Sequence, residues 1–158
     1  MATSIDDTDR RILDLLQGNG RISNADIARE VGMAPSATLE RVRKLEERGV
    51  IRAYETRLDP EAIGQSLAAF VFVRSTETPR DAYTSRALAE LPEVQEVHHV
   101  AGEDCFLVKV RVRDPRDLQR VLRESIGTIP SVVSTRSTVV LESVKETSSL
   151  RLPETGTG

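Results

Sequence analysis

A chain of 158 residues with a net charge of −3, 39% hydrophobic and 30% charged, can bury the core of one medium domain or two small ones. Aromatic residues at 3%, with no Trp, exclude a single-strand nucleic-acid binder built on stacked rings. The one cysteine, Cys105, rules out an internal disulfide, no apolar run reaches membrane-span length, and the start is polar and acidic, so the expected setting is the reducing cytoplasm, away from membranes.

Asp6 to Gln17 reads as a helix with Ile12, Leu13, Leu15 and Leu16 on one side, and its early aspartates suit the positive helix start. Gly18, Asn19 and Gly20 break it. Ser23 is placed to cap a short second helix carrying Ile27, Ala28 and Val31, and Gly32 follows where a turn needs positive φ. Pro35 stands at the first position of a third helix. There Leu39, Val42 and Leu45 are expected to form the buried stripe. Ala37, Glu40, Arg41, Lys44 and Arg48 lie roughly opposite. Gly49 ends the helix, and Val50 and Ile51 should begin a strand. Two short helices joined through a glycine turn, the second with a polar outer face, are the parts of a helix-turn-helix, which fits one helix into the DNA major groove. From Arg41 to Arg57 six basic residues face three acidic ones, a local charge of +3 within an acidic chain. A DNA footprint of that kind is narrow, so oligomerisation must multiply the phosphate contacts.

The character changes after an extended linker over 52–66. Leu67 to Arg74 reads as a strand. Thr78-Pro79 opens a helix through Leu91 with Tyr83, Ala87, Leu88 and Leu91 on one face, and Pro92 stops it. Val94 to Ala101 is a strand, Gly102 to Asp104 a turn, and Cys105 to Arg113 a strand in which Phe106, Val108, Val110 and Val112 alternate inward. Asp114-Pro115 repeats the cap-and-proline device before a helix with Leu118, Val121, Leu122 and Ile126, ended by Gly127. Val132 to Val144 is a long last strand. The order βαββαβ is the ferredoxin-like split arrangement. The chain therefore reads as α+β: a helix-turn-helix domain over 1–51, the linker over 52–66, a ferredoxin-like domain over 67–147 and a disordered tail over 148–158. One bare sheet face, rich in Val, Phe and Thr, should be covered by a second copy.

Candidate chemistry is concentrated in two places. Ser36, Ala37, Glu40, Arg41, Arg43, Lys44 and Arg48 are the candidates for contact with double-stranded DNA: Arg41 for a guanine edge, Glu40 for cytosine, Lys44 for phosphate. Arg41 has an alternative role, pairing with an acidic neighbour inside its own domain. His98, His99, Glu103, Asp104 and Cys105 form the one cluster of metal-ligand types, which would suit a metal-responsive regulator using His98, His99 and Cys105. Adjacent histidines on a strand point to opposite faces, however, so no metal and no cofactor is expected. Cys105 equally suits a small buried position. No nucleophile–base pair, phosphate loop or carboxylate pair stands at useful spacing, so no enzyme is expected.

The motifs Asp9 with Ile12-Leu13 and Gly20-Arg21-Ile22-Ser23, then Leu39 to Glu46 with Gly49-Val50-Ile51, then Ala101-Gly102-Glu103 before Phe106 to Val110, and finally Ser134 to Val140, resemble the leucine-responsive regulator and asparagine regulator (Lrp/AsnC) family from about Ile5 to Thr147. The resemblance implies a transcription regulator that senses a free amino acid and forms homodimers assembling further, often to octamers. A feast/famine-type regulator without an effector is the alternative. It also implies that Gly102, Glu103, Asp104 and Cys105 border an effector pocket between C-terminal domains, together with Thr135, Ser137 and Thr138. Glu103 or Asp104 would meet the α-ammonium, and Cys105 and Val139 a small or apolar side chain. Three departures stand out. Ala34 replaces the family's usual capping Ser. Asp104 and Cys105 replace the aromatic and second acid of the family's turn. Leu152 to Gly156 matches a cell-wall sorting pattern without the segments that pattern needs.

Overall fold

The computed structural model describes residues 5–76 and 82–152. In the N-terminal unit, α1 (Asp7–Gly18), α2 (Asn24–Val31) and α3 (Pro35–Glu47) enclose Ile12, Leu13, Ile27, Val42 and Leu45. Burying each such side chain contributes about 1.5–3 kcal/mol. The helix ends follow from side-chain chemistry. Asp6 caps α1 by accepting the Asp9 N–H at 2.7 Å, and Ser23 caps α2 by accepting the Asp26 N–H at 3.1 Å. Gly32, at φ 68°, closes α2 and lets the chain turn sharply into α3.

Two expectations about α3 are corrected. Its buried positions are Thr38, Val42 and Leu45, whereas Leu39 is 43% exposed. A strict spacing of three drifts around a helix of about 3.6 residues per turn, while the four-then-three spacing stays on one face. Thr38 is fully buried because its hydroxyl donates to the Ala34 carbonyl at 3.2 Å. Nor does a strand begin at Val50. Gly49, at φ 69°, donates to the Glu46 carbonyl and Val50 to the Leu45 carbonyl, both at 2.9 Å, so these amides seal the end of α3 in a Schellman motif.

The expected tail over 148–158 is also corrected as far as it is described. The chain divides into Met1–Arg57 with Glu146–Gly158, and Leu58–Lys145. Leu152 packs against the three-helix core, and Leu150 is hydrogen-bonded to Gln17. The sorting-like residues beyond Leu152 lie outside the described residues.

The second unit is a four-stranded antiparallel sheet in the order β2-β3-β1-β4, from β1 (Leu67–Ser75), β2 (Val94–His99), β3 (Phe106–Val112) and β4 (Val132–Val139). The helices α4 (Tyr83–Ala89) and α5 (Pro115–Arg120) follow β1 and β3, completing the ferredoxin-like βαββαβ order. Beyond α5 the chain widens through a π turn, Val121–Ser125, and tightens through a 3-10 turn, Ile126–Thr128. Gly127 is required there: a Cβ on it would stand 2.8 Å from the Leu122 carbonyl oxygen.

The Thr78-Pro79 opening expected for α4 lies outside the described residues. Thr84, not Tyr83, is the buried residue at the start of α4. It is held by hydroxyl contacts to Ser131 at 2.6 Å and Ser75 at 3.2 Å, while Tyr83 is 57% exposed. β2 stops at His99 because Val100 already closes the hairpin onto the Cys105 carbonyl. β4 stops at Val139, short of Val144, because its partner β1 starts only at Leu67; the last contact is Val140 N–H to the Ala68 carbonyl.

The sheet's two faces differ from expectation. Ala69, Val71, Val73, Phe106, Val108, Val110 and Val112 are all buried in one core. The alternate residues Phe70, Phe72 and Leu107 are only partly buried, and the register sets them beside Lys109 and Arg136. The bare face is therefore an apolar patch crossed by charges.

Candidate functional site

α3 is mounted on α1 by one guanidinium. Arg41 Nη1 donates to Asp6 Oδ2 at 2.7 Å and to Asp9 Oδ1 at 2.8 Å. Asp9 is 7% exposed, so its charge is compensated by Arg41 inside the domain. The Asp9 amide first, and the Arg41 guanidinium second, hold the Asp6 carboxyl below its ordinary value. In return Asp6, then Asp9, raise the Arg41 pKa further above its ordinary value. Arg41 thus adopts the intradomain pairing that was the alternative to reading a guanine edge.

Asp6, Asp9 and Met33 join Ala37, Glu40, Arg41, Lys44, Leu45 and Arg48 around an open cleft of about 480 Å³ on this flank. Five of the seven sequence candidates therefore share one concavity. Ser36 is exposed nearer the crest of α3, and Arg43 is exposed on the opposite flank. Lys44 reaches Glu40 at 3.6 Å with both side chains more than half exposed. Such a surface pair is worth about 0–1 kcal/mol, so neither group is tied down. Asp6, Asp9 and Met33 were missed by sequence reasoning because nothing local to them shows that α1 and the turn border α3. The recognition-type helix starts without a side-chain cap: Ala34 is its N-cap residue.

The second candidate region is the loop between β2 and β3 and the strand β4. Gly102 sits at φ 137°, a conformation open to glycine, with space where a Cβ would be. Glu103 is exposed. Asp104 Oδ2 accepts from Arg136 Nη2 at 3.0 Å, and the Arg136 guanidinium lies 4.1 Å above the Phe72 ring. Arg136 is therefore the residue that joins the turn to β4, and no pattern in the sequence marked it. Thr138 lies across from Phe70, on the bare-face side, whereas Thr135 and Ser137 lie across from Val73 and Val71, on the helix side. The three β4 candidates thus do not share a face. Cys105 is half-buried, its thiol 3.4 Å from the Ser75 carbonyl, as a small packed residue would be.

The histidines separate as strand geometry requires. His98 contacts Glu96 at 3.1 Å, and His99 packs on the Phe106 ring at 5.3 Å between centroids. Among the described residues no three His, Cys, Asp or Glu side chains are grouped to hold a metal ion, so the metal-responsive alternative has no site here. No helix among them is long and apolar enough to cross a membrane.

Comparison with known proteins agrees with both halves. Residues 5–52 match a winged helix-turn-helix DNA-binding model and residues 68–150 match the Lrp/AsnC ligand binding domain. The leucine-responsive regulatory protein of Escherichia coli K12 is 38% identical over 148 residues, covering 92% of this chain and 90% of that protein. Among solved structures, the feast or famine regulatory protein of Mycobacterium tuberculosis, complexed with L-methionine, superposes with a TM-score of 0.87 at 34% identity, covering 95% of this chain and all of that one. A Neisseria meningitidis transcriptional regulator in complex with L-Met gives 0.87 at 29% identity over 94% and 97% of the two chains. With its helix-turn-helix and its ferredoxin-like ligand domain both matched over nearly their full length, this chain belongs to the Lrp/AsnC family of transcription regulators.

Proposed function

We propose that this regulator contacts duplex DNA through the outer side of α3 and is governed by a small or apolar free amino acid. The observation that carries the DNA reading is the flank of α3. Glu40, Lys44 and Arg48 are exposed there beside the Arg41 clamp, on a helix held by a sealed C-terminus and a buried core. Ser36, Ala37 and Glu40 are near enough to the crest to meet base edges; Lys44, Arg48 and Arg43 suit phosphates. Arg41 belongs with backbone positioning, because its Nη1 is already shared by two carboxylates.

The effector reading rests on the turn. Exposed backbone at Gly102 suits an α-carboxylate, and the exposed Glu103 carboxylate suits an α-ammonium. The relatives solved with L-methionine support an apolar amino acid as the class. The protein works in the cytoplasm, catalyses no reaction, and assembles through its sheet face as a homodimer that builds an octamer. Fluorescence anisotropy with labelled DNA from upstream of its own gene, with and without each standard amino acid, tests the whole reading. Specific binding that at least one amino acid shifts is expected; no binding to any duplex would end it.

A further inference from the structure

Asp6 uses its two carboxylate oxygens for different purposes. Oδ1 accepts the Asp9 N–H and caps α1; Oδ2 accepts from Arg41 Nη1 at 2.7 Å. The two acids that share Arg41 differ in exposure: the Asp9 side chain is 10% exposed and that of Asp6 is 53% exposed. The Asp9 pair is therefore the interior anchor of α3. The Asp6 pair is a surface contact, on the rim of the cleft that also holds Lys44 and Arg48.

That rim is the side from which a DNA phosphate would approach Arg41, and Arg41 is still one-third exposed. A carboxylate and a phosphate oxygen make the same charge-assisted contact with a guanidinium. Asp6 therefore occupies a donor that the phosphate would use, and adds a negative charge where the backbone would sit. Its contact with Arg41 is exposed enough to exchange at small cost.

We propose that Asp6 limits DNA affinity: it holds the outer side of Arg41 in place of a phosphate and yields or shares that donor on binding, while Asp9 keeps α3 in position. This inference rests on the reading of α3 as the DNA-contacting helix. It opposes a simpler role for Asp6, that of a clamp positioning α3, and the two roles give effects of opposite sign.

The discriminating variant is Asp6→Asn in the full chain. Asn caps a helix start as well as Asp, so α1 stays capped while the charge is lost. Anisotropy titrations of wild type, Asp6→Asn, Arg41→Gln and the double variant on the same upstream duplex, over a salt series, give the coupling. Asp6→Asn should bind about 3- to 10-fold tighter, with a salt dependence steeper by up to about one phosphate contact. That gain should vanish in the Arg41→Gln background. Should Arg41→Gln fail to fold, Arg41→Lys serves, and the gain should shrink there because an ammonium lacks the planar guanidinium fork that a phosphate would take over from Asp6. Weaker or unchanged binding by Asp6→Asn overturns the proposal. So does an equal gain in the Arg41-substituted background, which would be a general charge effect. A wild type that binds no duplex would instead overturn the DNA-contact reading itself.

Discussion

Gln17 and Leu150 hold each other in both directions: Gln17 Nε2 donates to the Leu150 carbonyl at 3.0 Å, and the Leu150 N–H donates to Gln17 Oε1 at 2.6 Å. They stand 133 positions apart, so the pair staples the C-terminal stretch to the end of α1. Arg57 reinforces it by donating to the Glu146 carbonyl at 3.0 Å, and Leu152 adds apolar contact with the helical core. Deleting residues 146–158 should lower the stability of the three-helix unit by about 1–2 kcal/mol. Gln17→Ala alone should cost about 0.5–1 kcal/mol, because the freed backbone groups can rehydrate. Amide exchange resolved by helix is the measurement. Equal protection of α1 in the full and shortened chains would remove the staple.

The uncapped start of α3 gives a gain-of-stability prediction. Ala34 has the extended backbone of an N-cap residue, φ −67° and ψ 142°, but no side-chain acceptor for the first free amides. Ala34→Ser should stabilise the helix-turn-helix unit by about 0.5–1 kcal/mol, seen as a higher urea midpoint. No increase would mean that those amides are already satisfied by solvent at no net cost.

Much of this fold was legible because its boundaries are set by local chemistry. Ser23, Gly32, Pro35, Gly49 and the Asp114-Pro115 pair act within four residues of themselves, and all of them stand where the sequence placed them. What stayed hidden depends on partners distant in sequence. Arg41 meets carboxylates 32 and 35 positions away, and Asp104 meets Arg136 across 32. Thr38 and Thr84 carry no apolar signal in the sequence, yet both are buried because a hydroxyl can be satisfied locally or by a neighbouring hydroxyl. The end of β4 is decided by the length of β1, which no property of residues 140–144 reveals.

Asp117 gives a pH prediction. Arg113 donates to its two oxygens at 3.1 and 3.2 Å and Arg120 Nε donates at 2.9 Å. Arg113 first, and Arg120 next, hold its carboxyl far below the ordinary 3.8. With the native pKa lowered, the unfolded chain takes up the proton first as the medium is acidified. The stabilisation is therefore complete above about pH 5 and drains away as pH falls below it. Asp117→Asn should lower stability near neutrality and flatten the acid limb between about pH 5 and about pH 2. Urea midpoints over that range decide it; parallel curves for the two proteins would show that the arginine pairs contribute nothing.

The bare sheet face gives an assembly prediction. Phe70, Phe72 and Leu107 supply its apolar side chains, and Lys109, across from Phe70, bonds to Glu96 at 3.2 Å. An apolar patch whose crossing charges are already paired, Lys109 with Glu96 and Arg136 with Asp104, suits a protein–protein contact. Phe70→Asp should shift the full chain from dimer or larger species to monomer at about 10 μM, because a carboxylate would be desolvated there while its neighbour Lys109 is already engaged by Glu96. Light scattering measures the mass, and an unchanged assembly would move the subunit contact off this face.

The turn at Gly102–Asp104, proposed above to border the effector, separates two carboxylates by their engagement. Asp104 is held by Arg136, whose guanidinium also rests on Phe72, so its charge is partly spent within the subunit. Glu103 is exposed beside the open backbone of Gly102, so on the proposed reading it is the better acceptor for an incoming α-ammonium. A hydrogen bond to a charged group contributes about 1.5–3 kcal/mol, equivalent to roughly 10- to 150-fold in affinity. Glu103→Gln should weaken amino-acid binding by that factor and leave the melting temperature of the free protein nearly unchanged. Asp104→Asn should do the reverse: a smaller loss of ligand affinity, with a lower melting temperature because Arg136 loses its anion. Isothermal titration with the amino acid that shifts DNA binding, paired with thermal melts, reads both quantities. Equal loss of affinity in the two variants would assign the ammonium to both carboxylates, and no loss in either would place the ligand away from this turn.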